Sequence, residues 1–264
     1  MSYQTTIIAA GRNLNIHGTV PIYLEWYKEW NSDISALYAS AMDLPSGSVV
    51  LDVGANVGMF SCSLAAQRPD LRIIAVEPVP QNVECLRRNI QINGLNNVEV
   101  VHAAVSDKPG TVRVNVNGPW SVVTETGEVE VPAMSMDQFM YARPGLVKID
   151  VEGWEPYVLA GGRTLISALR PKILMEFNTC SLLFMRHDPV ALALAIWEHF
   201  DIIEHFYEEK PMGRPTWDRQ ILHDNVVLYG SVSDVLFRLK ISHSVPSLER
   251  MIYTPDHFAT LNHI

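Results

Sequence analysis

Val49-Val50-Leu51-Asp52-Val53-Gly54-Ala55-Asn56-Val57-Gly58 is the stretch on which the fold turns. A run that is apolar apart from Asp52 ends in a glycine-rich turn, and residues 58–67 then read as a helix. A buried strand entering a helix through such a turn is the opening unit of a parallel α/β sheet. Gly54 permits the tight turn and lets a ligand approach the backbone. Ligands of open parallel sheets sit beyond the carboxyl ends of the strands, where this turn lies. A pyrophosphate-binding turn wants G-x-G-x-x-G and no acid aimed at the phosphates. Here Asn56 replaces the middle glycine and Asp52 precedes the turn. The choice is between an ordinary strand–helix turn and a site for a cationic amino-acid ligand, such as S-adenosylmethionine.

Downstream, strand and helix alternate. Residues 72–76 form a second apolar run that ends at Glu77-Pro78. An acid at that place can accept both hydroxyls of an adenosine ribose. Residues 80–93 read as a helix stopped by Gly94. Residues 98–105, 146–151 and 172–177 read as further strands, residues 189–200 as a helix, and 201–206 and 225–229 as candidate last strands. Residues 111–116 and 128–134 alternate as antiparallel strands do, which predicts an inserted hairpin whose loop, 117–127, carries Trp120. Upstream, Tyr23, Trp26, Tyr27, Trp30, Ile34, Leu37, Tyr38 and Met42 recur at helical spacing. One or two helices are expected there, packed on the main domain, closing over the site as a lid, or forming a homodimer contact.

Composition narrows the function. A hydrophobic fraction of 48% over 264 residues supplies a core for one large domain with embellishments. The net charge of -9 provides no general field for nucleic acid or anionic lipid, so a small-molecule substrate is expected. No stretch has the length and apolarity of a membrane span, and no basic segment followed by an apolar one opens the chain. Cys62, Cys85 and Cys180 make no C-x-x-C pair. Reduced thiols and a cytoplasmic protein are the expectation.

A third segment, Val147-Lys148-Ile149-Asp150-Val151-Glu152-Gly153, brings two acids to the end of a central strand. Strand alternation sends Asp150 and Glu152 to one side. They serve either as helix-start acids or as groups that position an acceptor and take its proton. Glu176 and Asn178 end the next strand, and with Asp150 they offer an oxygen set for Mg²⁺.

In order and spacing, three segments resemble the FkbM-type family of class I methyltransferases: VVLDVGANVGMFS, IIAVEPVPQNVECLRRNIQINGLNNVEVVHAAVSDKPG, and LVKIDVEGWEPYVLAGG followed by RPKILMEF. The resemblance covers about residues 49–176. It implies a Rossmann-like α/β sheet of order 3-2-1-4-5-7-6 with the last strand antiparallel, and S-adenosylmethionine as cofactor. It assigns Asp52, Gly54, Ala55, Asn56 and Gly58 to the methionine end of that cofactor and Glu77 with Pro78 to the ribose. Ala104 and Asp107 fall near the adenine, and the Lys148-to-Gly153 motif, with Asp150 and Glu152, faces the methyl and the acceptor. Trp154 stands where the family commonly has a small residue, and His102 where it often has Asn.

The expected organisation is an N-terminal extension of lid helices over 1–45, a methyltransferase domain over 46–230 and a C-terminal tail over 231–264. The expected reaction is O-methylation of a small polar molecule or natural product, of sugar, polyketide or peptide type. Its rivals are N- or carboxylate methylation on the same fold, a nicotinamide oxidoreductase, and a module that binds the cofactor without using it.

Overall fold

The computed structural model describes residues 3–9, 12–22, 35–124, 126–207, 210–228, 230 and 232–239. Its centre is set by four apolar runs too short for helices and too buried for amphipathic strands: β3 (Val49–Val53), β4 (Arg72–Glu77), β10 (Pro144–Ile149) and β11 (Lys172–Asn178). β3 is buried at every residue, as a strand covered on both faces must be. The main helices among the described residues are α1 (Ser35–Met42), α2 (Met59–Gln67), α3 (Pro80–Ile92), α4 (Glu155–Ala160), α5 (Arg163–Leu169), α6 (Thr179–Phe184) and α7 (Pro189–His199). α3 begins with Pro80, whose missing N–H costs nothing in a first turn, and stops before Gly94 at φ +64.

With β5 (Val98–His102), β12 (Phe200–Tyr207), β13 (Lys210–Gly213) and β14 (Val232–Leu239), the sheet runs β13-β12-β14-β11-β10-β3-β4-β5. If the edge strand β13 is set aside and the rest are counted in chain order, this is 3-2-1-4-5-7-6. β14 is antiparallel to both β11 and β12, as expected. A second sheet, β6-β9-β7-β8, contains the predicted hairpin: β7 (Gly110–Asn115) pairs antiparallel with β9 (Val129–Ser135). β6 (Ala104–Ser106) and β8 (Val122–Thr124) complete it.

Three readings are corrected. The run 98–105 is not one strand: it leaves the central sheet after His102 and resumes as β6 in the smaller sheet. Residues 225–229 are not a strand, because Asp224–Leu228 form a π-helical turn. Asn225, fully buried, accepts the Thr179 amide at 3.2 Å and donates to Phe177 O at 2.6 Å and Ser233 Oγ at 3.0 Å. One side chain thus does locally what ladder bonds would do, and Val226 and Val227 are left exposed. The true last strand is β14, inside what reads as the tail. Ser233, Asp234 and Arg238 mask it in the sequence, while Val235 and Phe237 are fully buried.

The extension is not only helical. β1 (Tyr3–Ala9) and β2 (Arg12–Gly18) form an antiparallel hairpin whose Ile7, Leu14 and Ile16 pack with Val57, Met59 and Leu86. The predicted helix over 22–42 is described only as α1, at its C-terminal end. Residues 23–34, and the tail beyond 239, lie outside the described residues. Among the described residues no helix is long and apolar enough to cross a membrane.

Candidate active site

A cavity of about 390 Å³ opens where β3, β4, β10 and β11 end. Its floor begins with the turn after β3. Gly54 has φ +83, and a Cβ there would stand 1.8 Å from the carbonyl oxygen of Asp150. Only glycine lets β10 close down on the turn. The amides of Gly54 and Ala55 both donate to Val76 O at 3.0 Å, and that of Gly58 to Ala55 O at 2.9 Å. The Asn56 amide donates to Glu77 Oε2, and the Val57 amide to Asn56 Oδ1, each at 2.8 Å. Every N–H from 54 to 58 is therefore spent inside the protein. A phosphate cradle works by leaving such donors free, so this turn is not one. Asn56 sits at φ +54, a left-handed conformation that asparagine tolerates, and so fills the middle-glycine position without glycine.

Glu77 closes β4 against the cavity and is 4% exposed. Besides the Asn56 amide it accepts the Val79 amide at 3.0 Å and the Asn82 side chain at 3.2 Å. Burial pushes its carboxyl up to about 7, with those three donors pulling the other way. A carboxylate has about four lone-pair sites, so it keeps capacity for a hydroxyl. Beside it, Pro78, Val79, Ala103, Ala104, Val105 and Val123 make an apolar wall suited to a flat heterocycle.

The other end is acidic. Asp150, Glu152 and Glu176 each bring an oxygen within 4.8 Å of the others. Glu152 lies at φ +54 and Gly153 at φ +95, where a Cβ would meet Ser181 O at 2.5 Å. A glutamate in the left-handed region is strained, and such strain gathers at functional sites. The turn is braced from below: buried Glu155 accepts the amides of Val151 at 3.2 Å and Gly153 at 3.3 Å. From the side, Ser181 Oγ donates to Glu152 at 3.1 Å. Burial, then the charge of Asp150, raises Glu152 to about 7; burial raises Glu155 equally. Glu176 is pushed well above the carboxylate range by burial and by its acidic neighbours. Lys148 donates to Asp150 Oδ2 at 3.0 Å. Such a cluster attracts a cation and can take up a proton near neutrality.

Of the predicted residues, Gly54, Asn56, Glu77, Pro78, Ala104, Asp150, Glu152, Glu176 and Asn178 line the cavity together. Asp52, Ala55, Gly58 and Asp107 do not. Asp52 is fully buried within β3, where Ser61 Oγ donates to it at 2.5 Å. Gly58 packs against Leu86, and Asp107 receives the Ser106 hydroxyl at 3.0 Å. The oxygen set expected for magnesium is not assembled as predicted. Asn178 gives its side-chain oxygen to the Ser181 amide as the N-cap of α6, and Lys148 already holds Asp150. Sequence reasoning missed Asn82, Glu155 and Val232 at or under the cavity. Glu155 alone carried a signal, as an acid in the first turn of a helix after Gly153.

Strand order, a turn with no free amides, and acids ending β4 and β10 define a Rossmann-like domain of the class I methyltransferase kind. The methyltransferase FkbM domain family matches residues 52–206, and the chain belongs to it. Methyltransferase sdnD of Sordaria araneosa is 30% identical over 140 residues, covering 50% of this chain and 51% of that protein. The 31-O-demethyl-FK506 methyltransferase FkbM of Streptomyces tacrolimicus is 29% identical over 160 residues, covering 46% and 61%. A crystal structure of methyltransferase FkbM from Methylobacillus flagellatus superposes with a TM-score of 0.48 at 18% identity, covering 78% of this chain and 47% of that one. The chain thus spans roughly half the length of these relatives.

Proposed function

We propose that this chain is an S-adenosylmethionine-dependent methyltransferase acting on a hydroxyl of a small natural-product-type molecule. The observation that carries this reading is the pairing of two things in one cavity. The turn has no N–H left for a phosphate, and the walls offer a ribose-accepting acid at one end and carboxylates for a cation at the other. Pyrophosphate-bearing nicotinamide cofactors are disfavoured by the same facts. The relative from Streptomyces tacrolimicus, named for a 31-O-demethyl substrate, supports an oxygen acceptor.

Bound in the cavity, S-adenosylmethionine would supply an electrophilic methyl on a sulfonium, a leaving group that departs with its bonding pair as a neutral thioether. Glu77 with Asn82 orients the nucleoside, and the apolar wall excludes water from its base. Asp150 faces the cationic end. Glu152 receives the proton that the acceptor hydroxyl gives up, which its position near neutrality suits. Holding acceptor and methyl in line supplies the remaining acceleration. An amine acceptor is the second reading, favoured by the same acidic cluster. No step is assigned to a metal.

Titration calorimetry tests the cofactor: S-adenosylmethionine is expected to bind and NAD not to. Binding of NAD alone would overturn the proposal. Mass spectrometry of products from hydroxyl- and amine-bearing acceptor panels separates the two readings.

A further inference from the structure

Asp52 falls in the glycine-turn motif yet does not line the cavity, and its burial needs another explanation. Its Oδ2 accepts the Ser61 hydroxyl at 2.5 Å, and its Oδ1, which has no hydrogen bond, stands 3.5 Å from Lys148 Nζ. Lys148 neighbours Asp52 directly across the β3–β10 pairing. Its side chain is 12% exposed, its ammonium lies 5.6 Å from the Phe60 ring centroid, and it donates to Asp150 at 3.0 Å. Burying a carboxylate with an ammonium rarely stabilises a fold more than a well-packed apolar pair does. Stability is therefore a poor reason for the pair. Its geometric effect is plain: a long flexible lysine is held near both ends, and its head stands at one oxygen of Asp150. Without that hold, Asp150, 38% exposed and next to Glu152 and Glu176, would be driven by like charge towards water.

We propose that Asp52 and Lys148 are positioning residues, Asp52 anchoring the Lys148 ammonium so that it fixes the Asp150 carboxylate where the cationic end of the ligand meets it. The inference rests on the cavity being an S-adenosylmethionine site.

The test is a double-mutant cycle on the full chain, read as S-adenosylmethionine affinity by calorimetry. Lys148→Met alone leaves Asp52 buried without its ion partner and risks unfolding, so the informative variant is Asp52→Asn with Lys148→Met, which removes both charges. That variant is expected to melt close to wild type and to bind at least about tenfold more weakly. In an Asp150→Ala background the same pair of changes should alter affinity by less than about threefold, because the group it acts through is gone. A similar loss in both backgrounds, or no loss in the first, would overturn the proposal while leaving the cofactor reading intact. Failure of the wild-type protein to bind would instead overturn the cofactor reading, and the inference with it.

Discussion

The backbone amide of Asn56 donates to Glu77 Oε2 at 2.8 Å, tying the turn after β3 to the acid that ends β4. One carboxylate therefore does two jobs, holding the turn shut and facing the cavity. Glu77→Ala strands the Asn56 and Val79 amides, and each unsatisfied buried donor costs about 1–3 kcal/mol. Glu77→Gln keeps an accepting oxygen for one of them. The Ala variant should melt well below the Gln variant, while both bind S-adenosylhomocysteine at least about tenfold more weakly than wild type. Unchanged affinity in Glu77→Gln would remove the ribose assignment.

Acid should strengthen the unliganded fold. Glu77, Glu152 and Glu155 hold their protons to about 7 in the folded chain, whereas an unfolded glutamate releases its proton near about 4.3. Between those values the folded state binds more protons, so stability is full below the unfolded value and is lost as pH rises through the folded one. The unfolding free energy contributed by these three glutamates should therefore fall from pH 5 to pH 8, while His187, held down to about 4 by burial, acts in the opposite sense below about 6.5. Glu155 does not line the cavity, and Glu155→Gln should reduce that fall by on the order of 3 kcal/mol. The same fall in wild type and variant would show that this burial does not act as described.

The strain at Glu152 separates stability from chemistry. At φ +54 alanine is disfavoured and glycine is not. Glu152→Gly should be more stable than Glu152→Ala by about 1 kcal/mol, and both should lose methyl transfer alike. Calorimetric melts and product mass spectrometry measure the two effects. Equal melts would mean that the turn relaxes around residue 152.

Much of this was legible because period and punctuation carry it. β3, β4, β10 and β11 are apolar runs bounded by turns, and the acids that end β4 and β10 stand out against them. What sequence hid was set by tertiary contact. Asp52 shares the motif of Gly54 and Asn56, yet it lies one residue back inside the fully buried strand β3, and its carboxylate meets Ser61 and Lys148 instead of the cavity. Asn82 meets Glu77 only because α3 packs beside β4. β14 is written in a run broken by Ser233, Asp234 and Arg238, and its place is fixed by pairing with β11 and β12 on either side. The hairpin β1–β2 has modest alternation of its own and is held by helix side chains, which no local pattern announces.

Those side chains make the last prediction. Asn89, fully buried on α3, accepts the His17 amide at 2.7 Å and donates to His17 O at 2.9 Å, pairing with β2 as a neighbouring strand would. It also donates to Val57 O at 2.8 Å, in the turn that floors the cavity. Asn93, one helical turn on, treats Asn15 the same way, accepting its amide at 2.8 Å and donating to its carbonyl at 2.7 Å, but reaches no part of that turn. Asn89→Ala leaves the His17 amide and the Val57 carbonyl without their partner, at about 1–3 kcal/mol each. It should cost both hairpin protection in hydrogen exchange and S-adenosylmethionine affinity. Asn93→Ala should cost protection alone. If the two variants weaken cofactor binding equally, the loss travels through the hairpin as a whole, and Asn89 is not the link between it and the turn.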